Sequence, residues 1–90
     1  MTVKDTLEER EKRYGTFEDN ASVSQYLKGV IEEHHKWDSL KYYQKEALTI
    51  LMQKVARILN GDPDYTDNWH DIAGYATLVE DILTNKPDNQ

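Results

Sequence analysis

The sequence predicts an all-α fold, a small helical bundle of three main helices with a shorter helix at the N-terminus. Apolar residues recur at helical spacing in successive segments, and strand-like alternation is not the dominant pattern. Gly15, Gly61, Pro63 and Pro87 separate these segments. Because 90 residues suit one domain, we expect a single helical domain over 1–84 and a flexible tail over 85–90.

Composition narrows the class of protein further. The absence of cysteine excludes a disulfide scaffold, a thiolate nucleophile and a zinc site built on sulfur. A net charge of −6 argues against direct binding to nucleic acid, whose phosphates would be repelled. No apolar run has the length of a membrane span, and the N-terminus lacks a signal-peptide pattern. We therefore expect a cytoplasmic protein that does not contact a membrane.

Capping residues mark the starts of the first two helices. The first is predicted from about Val3 to Tyr14, capped by Thr2 or Asp5 and ended by Gly15. The second is predicted from Thr16 to about His35, with Thr16 as its cap and Asp19 at the third helical position. Its apolar stripe consists of Val23, Tyr26, Leu27, Val30 and Ile31.

The last two helices carry the clearest apolar stripes. The third is predicted from Leu40 to Asn60, capped by Asp38 or Ser39 and ended at Gly61. Its stripe is Leu40, Ala47, Leu48, Leu51, Val55, Ile58 and Leu59. The fourth begins near Thr66 or Asp67 and continues to about Leu83. Its predicted core stripe is Trp69, Ile72, Ala73, Ala76, Val79, Ile82 and Leu83.

Two pairs of charged residues face the turn between the last two helices. Lys54 and Arg57 lie one turn apart on the third helix, and Asp67 and Asp71 lie one turn apart on the fourth. Helices joined by so short a connection are usually antiparallel neighbours, so these faces can meet. One interpretation is a set of ion pairs that locks the hairpin. The other is a polar site in which the aspartates hold Mg²⁺ or a ribose and the cations contact phosphate.

Two aromatic groups are further candidates. Arg13 and Tyr14 precede Gly15 and Phe17 in a compact corner between helices, where the structural interpretation is that the two rings staple the turn. Trp69, His70 and Tyr75 cluster on the fourth helix. Aromatic rings beside charged groups suit nucleobase stacking, and at helical spacing they also suit a core.

The sequence also resembles known families. The stretches Lys12–Gly15, Arg57–Tyr65 and Trp69–Ala76 are similar to those of small phage and prophage proteins and of the family called nucleotide modification associated domain 1. More distantly, the helical layout resembles the all-α pyrophosphatases of the MazG and dimeric dUTPase type. Those enzymes hold Mg²⁺ with paired acidic motifs. Asp67 and Asp71 resemble the second of these motifs, but their spacing is one residue longer than in those enzymes. Glu32-Glu33 is the nearest substitute for the first motif.

These observations favour a phage-derived binding protein over an enzyme, since the carboxylate set for hydrolysis is incomplete. The expected ligand is a nucleotide or nucleotide-like molecule, bound by a homodimer or higher homo-oligomer. The site residues expected are Arg13, Tyr14, Lys54, Arg57, Asp67, Trp69, His70, Asp71 and Tyr75. Two alternatives remain: an acidic inhibitor that binds a host protein, and a Mg²⁺-dependent nucleoside triphosphate pyrophosphatase.

Overall fold

The computed structural model describes residues 2–85. Within that range it consists of α-helices and a short 3₁₀ turn, without a β-strand, which confirms the all-α prediction. The helices are α1 (Val3–Tyr14), α2 (Phe17–Glu32), α3 (Tyr42–Asn60) and α4 (Thr66–Thr84), and the 3₁₀ turn is Trp37–Ser39. Most of the predicted tail, 86–90, lies outside the described residues.

The caps predicted for α1 and α2 are confirmed. The hydroxyl of Thr2 accepts a hydrogen bond from the backbone N–H of Asp5 (3.1 Å), and the Asp5 carboxylate accepts one from the Thr2 N–H (3.3 Å). This is a reciprocal capping box. The hydroxyl of Thr16 likewise accepts from the Asp19 N–H at 3.2 Å. Both helices therefore begin where their first free N–H groups find a side-chain partner.

The predicted cap of α3 is wrong. Asp38 and Ser39 form the 3₁₀ turn, and the Ser39 hydroxyl donates to the carbonyl of Lys36 (2.6 Å) instead of accepting from a helix N–H. The helix begins at Tyr42, where the Gln44 side chain accepts from the backbone N–H of Lys41 at 2.9 Å. Because the turn takes up the connecting residues, α2 also ends three residues earlier than predicted, at Glu32.

Helix α3 is the centre of the fold, and α2 and α4 pack against it on different sides. Lys54 of α3 reaches Asp71 of α4, whereas Asn60 of α3 reaches Asn20 of α2. The buried apolar residues of the described chain are Ala47 and Ala56, both on α3. The rest of the interior consists of half-buried side chains, so the core of a single chain is thin.

Two chain reversals touch at one end of α3, and glycine is what lets them touch. We call this contact the glycine crossing, formed by Gly15 and Gly61. Gly15 has φ of +82°, and a Cβ there would lie 2.7 Å from the Cβ of Asn60. A Cβ on Gly61 would lie 2.5 Å from the carbonyl carbon of Tyr14. The N–H of Asp62 donates to the carbonyl of Arg13 across the crossing at 3.0 Å.

An asparagine pair holds the crossing from the side of α2. The amide of Asn20 donates to the carbonyl of Tyr14 (2.6 Å) and accepts from the amide of Asn60 (3.0 Å). One side chain thus joins the end of α1 to the end of α3. This link fixes Tyr14 against the last turns of α3, where Arg57 lies.

No helix within residues 2–85 combines the length and the apolar character that crossing a bilayer requires.

Candidate functional site

A cavity of about 540 Å³ lies between α1, α2 and α3. This volume is in the range of sites that bind small molecules. The helix ends meet here because the glycine crossing draws the end of α1 onto α3. The lining residues are Leu7, Arg10, Glu11, Tyr14, Gly15, Phe17, Asn20, Ala21, Ser24, Gln25, Gln53 and Arg57.

Two arginines flank one tyrosine ring in this cavity. The guanidinium carbon of Arg10 lies 4.9 Å from the centroid of the Tyr14 ring, and that of Arg57 lies 4.8 Å from it. Both distances suit cation–π contacts, which hold a guanidinium flat without using its N–H donors. We call Arg10, Tyr14 and Arg57 the arginine cluster. Among residues 2–85, neither arginine has a carboxylate within ion-pair distance.

A second ring links the arginine cluster to the α3–α4 turn. Tyr65 packs edge-to-face on Tyr14, with centroids 5.7 Å apart, and the guanidinium of Arg13 lies 5.3 Å from the Tyr65 ring. The Tyr65 hydroxyl donates to the carboxylate of Asp67 at 2.9 Å. This hydrogen bond raises the pKa of Tyr65, because losing the proton would place two negative charges together. Arg13 also pairs with Glu9 on α1.

Lys54 and Asp71 form the ion pair that the sequence suggested as one interpretation. The Lys54 ammonium donates to Asp71 at 2.8 Å, with the lysine mostly buried and the aspartate partly exposed. The hydrogen bond and the charge of Lys54 lower the pKa of Asp71, and His70 and Arg57 add to that effect. Arg57 itself faces Tyr14 rather than Asp67, so the predicted four-residue network is divided between two places.

The lowered pKa of Asp71 predicts a stability contribution that acid removes. Since the folded pKa lies below the usual 3.8, this contribution is complete above that value and disappears as the pH falls through the folded pKa. Asp71→Asn should therefore destabilise the protein at about pH 7, and the difference from wild type should shrink at about pH 2.5. Urea unfolding at both pH values measures this. An equal difference at both would contradict the assignment.

The remaining predicted residues lie along α4. His70, Asp71 and Tyr75 line a shallow groove together with Gly74 and Leu78. Trp69 lies outside both the groove and the cavity, and its indole N–H donates to the carbonyl of Pro63 at 2.8 Å. The candidate residues are thus distributed over two surfaces, and only Tyr14 and Arg57 line the large cavity.

The predicted metal ligands, Asp67 and Asp71, already have polar partners. Asp67 accepts from Tyr65 and Asp71 accepts from Lys54. Within residues 2–85, no three His, Asp or Glu side chains gather where they could hold one metal ion together. To bind a cation here, Asp67 and Asp71 would first have to release their hydrogen bonds with Tyr65 and Lys54.

The sequence pattern did not indicate several of the cavity residues: Phe17 was expected to staple a turn, and Arg10 and Gln53 had no predicted role. Arg10 lies one turn before Tyr14, in a run of charged residues typical of a solvated helix face. Only the glycine crossing shows that this turn of α1 faces α3. The two aromatic residues near Arg10, Tyr14 and Phe17, are the feature of the sequence that points to this region. They do not show which helix packs against it.

The fold and the cavity define a small all-α protein with an arginine-lined site between its first three helices. The chain belongs to the DUF6378 family, described as a domain of unknown function, whose profile matches residues 2–83. The comparisons with curated proteins and with solved structures gave no match.

Proposed function

We propose that the protein binds a nucleotide or nucleotide-like ligand in the cavity between α1, α2 and α3. The observation that carries the proposal is the arginine cluster, in which Arg10 and Arg57 flank the Tyr14 ring without a carboxylate partner among residues 2–85. Guanidinium groups match phosphate oxygens in shape and charge. The phosphate end of the ligand therefore binds at Arg10 and Arg57.

The other cavity residues suit the rest of a nucleotide. Phe17 stands at the first turn of α2 with 87% of its surface exposed, so its ring offers a face on which a base can stack. Ser24, Gln25 and Gln53 supply hydrogen-bonding groups on the wall. Glu11 adds one acidic group, which favours a ligand that brings hydroxyl or amino donors as well as phosphate.

A thermal-shift screen tests the proposal, with inorganic pyrophosphate, ATP and other nucleotides as probes, with and without Mg²⁺. A nucleotide at 100 times its Kd adds about 2.7 kcal/mol of stability. For a domain of this size, that stabilisation raises the Tm by roughly 10 °C or more. If no nucleotide changes the Tm, the proposal is wrong. A shift that requires Mg²⁺ and is lost in Asp67→Asn would instead support the metal prediction at α4.

A matched pair of variants separates nucleotide binding from simple anion binding. Phe17→Ala should reduce the shift given by ATP and leave that given by pyrophosphate, because stacking contributes about 1–3 kcal/mol per base. Tyr42→Ala removes an equally exposed ring, 84% against 87%, from a position outside the cavity. It should change neither shift. Equal losses of both shifts in Phe17→Ala would contradict the stacking role.

An acidic inhibitor of a host protein is the second candidate, and α1 is one of the surfaces that it could use. Acidic residues of α1 alternate with cations, and Glu9 is paired with Arg13. Such a mixed face does not present the single sign of charge that covers a basic surface.

A further inference from the structure

One side of α3 carries an unbroken apolar ridge. Leu48, Met52, Val55 and Leu59 follow one another at spacings of four, three and four residues, so they share one helix face. None of them is fully buried. A helix in the middle of a fold normally has such a ridge covered. Here Leu59 is exposed and the other three residues are only half-buried.

The contacts of α3 show where the ridge lies relative to the other helices. Ala47 and Lys54 lie along the side of α3 that faces α4, as the ion pair of Lys54 with Asp71 shows. Ala56 and Asn60 lie along the side of α3 that faces α2, as the hydrogen bond from the Asn60 amide to Asn20 shows. These two sides of α3 are about half a turn apart around the helix, and the ridge lies between them. The polar side of α3, which lines the cavity, is therefore opposite the ridge.

The neighbouring helices extend the ridge into a wide surface. On α2, Val23 and Val30 lie on the flank away from the residues that line the cavity, and Leu27 lies between this flank and the side that faces α3. On α4, which runs antiparallel to α3, helix geometry places Trp69, Ala73 and Ala76 on the same side as the ridge. We call these ten residues the apolar face: Val23, Leu27, Val30, Leu48, Met52, Val55, Leu59, Trp69, Ala73 and Ala76.

Part of the apolar face is exposed to solvent in the single chain. The accessible surface of the chain is 6760 Å². A folded monomer of this mass is expected to expose about 5400 Å². The chain therefore exposes more surface than a compact monomer of its mass, and within the apolar face Val30 and Trp69 each leave 53% of their surface exposed. Leu59 alone is 68% exposed.

We propose that a second copy of the chain covers this apolar face, in a two-fold symmetric dimer that leaves the cavities on its outer sides. The ten residues of the face are uncharged, and the exposed Glu80, one turn after Ala76 on α4, falls at its edge, where interfaces between proteins are usually polar. The described core holds two buried apolar residues, both alanines, so covering the face would add apolar burial that the single chain lacks. A second copy is present whenever the protein is, whereas a transient partner is not.

Two leucines allow a matched test by light scattering after size exclusion. Leu59 belongs to the apolar face, whereas Leu78 lies half a turn from Trp69 on α4 and lines the groove on the other side. Both are exposed, at 68% and 58%. We expect the wild-type protein and the Leu78→Asp variant to have a molar mass of twice the 10.5 kDa of one chain. Leu59→Asp should have the mass of one chain or lose its helical circular dichroism.

The wild-type protein provides a test that does not depend on any variant folding. If the dimer completes the core, the Tm should rise with protein concentration, because unfolding separates the two chains. A wild type that is a folded monomer, with a Tm independent of concentration, would overturn the proposal. A dimer that survives Leu59→Asp, or that Leu78→Asp dissociates, would overturn the assignment of the face.

Discussion

Gly15→Ala is expected to lower the free energy of unfolding by about 2–4 kcal/mol. The φ of +82° at this position is one that residues with a side chain rarely adopt, and the new methyl group would meet Asn60 at 2.7 Å. Gly61→Ala should have a loss of similar size, because its methyl group would meet the backbone of Tyr14 at 2.5–2.6 Å. The Tm should fall by roughly 10 °C or more in each case.

The two glycines inside helices provide the control for this prediction. A Cβ added at Gly29 or at Gly74 meets nothing within 4 Å. Gly29→Ala and Gly74→Ala should therefore stabilise the protein by about 0.5–1 kcal/mol, since alanine is the better helix former. Urea unfolding of the four variants measures the contrast. The same sign of effect at all four positions would show that the two chain reversals do not touch as described.

Arg57→Glu is expected to weaken the binding of ATP and of pyrophosphate at least about 100-fold, because a charge-assisted hydrogen bond contributes roughly 1.5–3 kcal/mol and the new carboxylate repels phosphate. Arg57 is half-buried against Tyr14, so Arg57→Gln serves as a milder variant that keeps most of the packing. Its expected loss is about tenfold.

Lys12→Glu is the matched control for Arg57→Glu. It makes the same change in net charge at an exposed position of α1 that does not line the cavity. Titration calorimetry should find its affinity for ATP within about threefold of wild type in physiological salt, where exposed charges are screened. If both reversals weaken binding equally, the arginine cluster is not the phosphate site and the attraction is a property of the whole surface.

The sequence predicted the helices well because each carries its own signals. Thr2 and Thr16 cap α1 and α2 as expected, and the spacing of apolar residues indicated the other three helices, α2, α3 and α4. The prediction of the α4 core was poorer. Trp69, Ala73, Ala76 and Ile82 were expected inside and are exposed in the single chain. Periodicity identifies an apolar face and does not say what covers it.

The candidate site was harder to predict, because it depends on contacts between distant segments. Lys54 and Asp71 lie on adjacent antiparallel helices, so their ion pair followed from local geometry. The contact of Arg57 with Tyr14 instead depends on two glycines far apart in sequence meeting at one point. The fully buried Asn68 was also unexpected, since its neighbours along the helix looked more suited to a core.

A two-dimensional NMR titration of the ¹⁵N-labelled protein with ATP tests the central claim most directly, because it reports where the ligand binds. We expect the largest shift changes in the backbone signals of Tyr14, Phe17 and Gln53 and in the guanidinium signals of Arg10 and Arg57. Signals of the α4 groove, such as those of Gly74 and Leu78, should change little. Changes confined to the groove around Asp71, or no changes at all, would contradict nucleotide binding in the cavity.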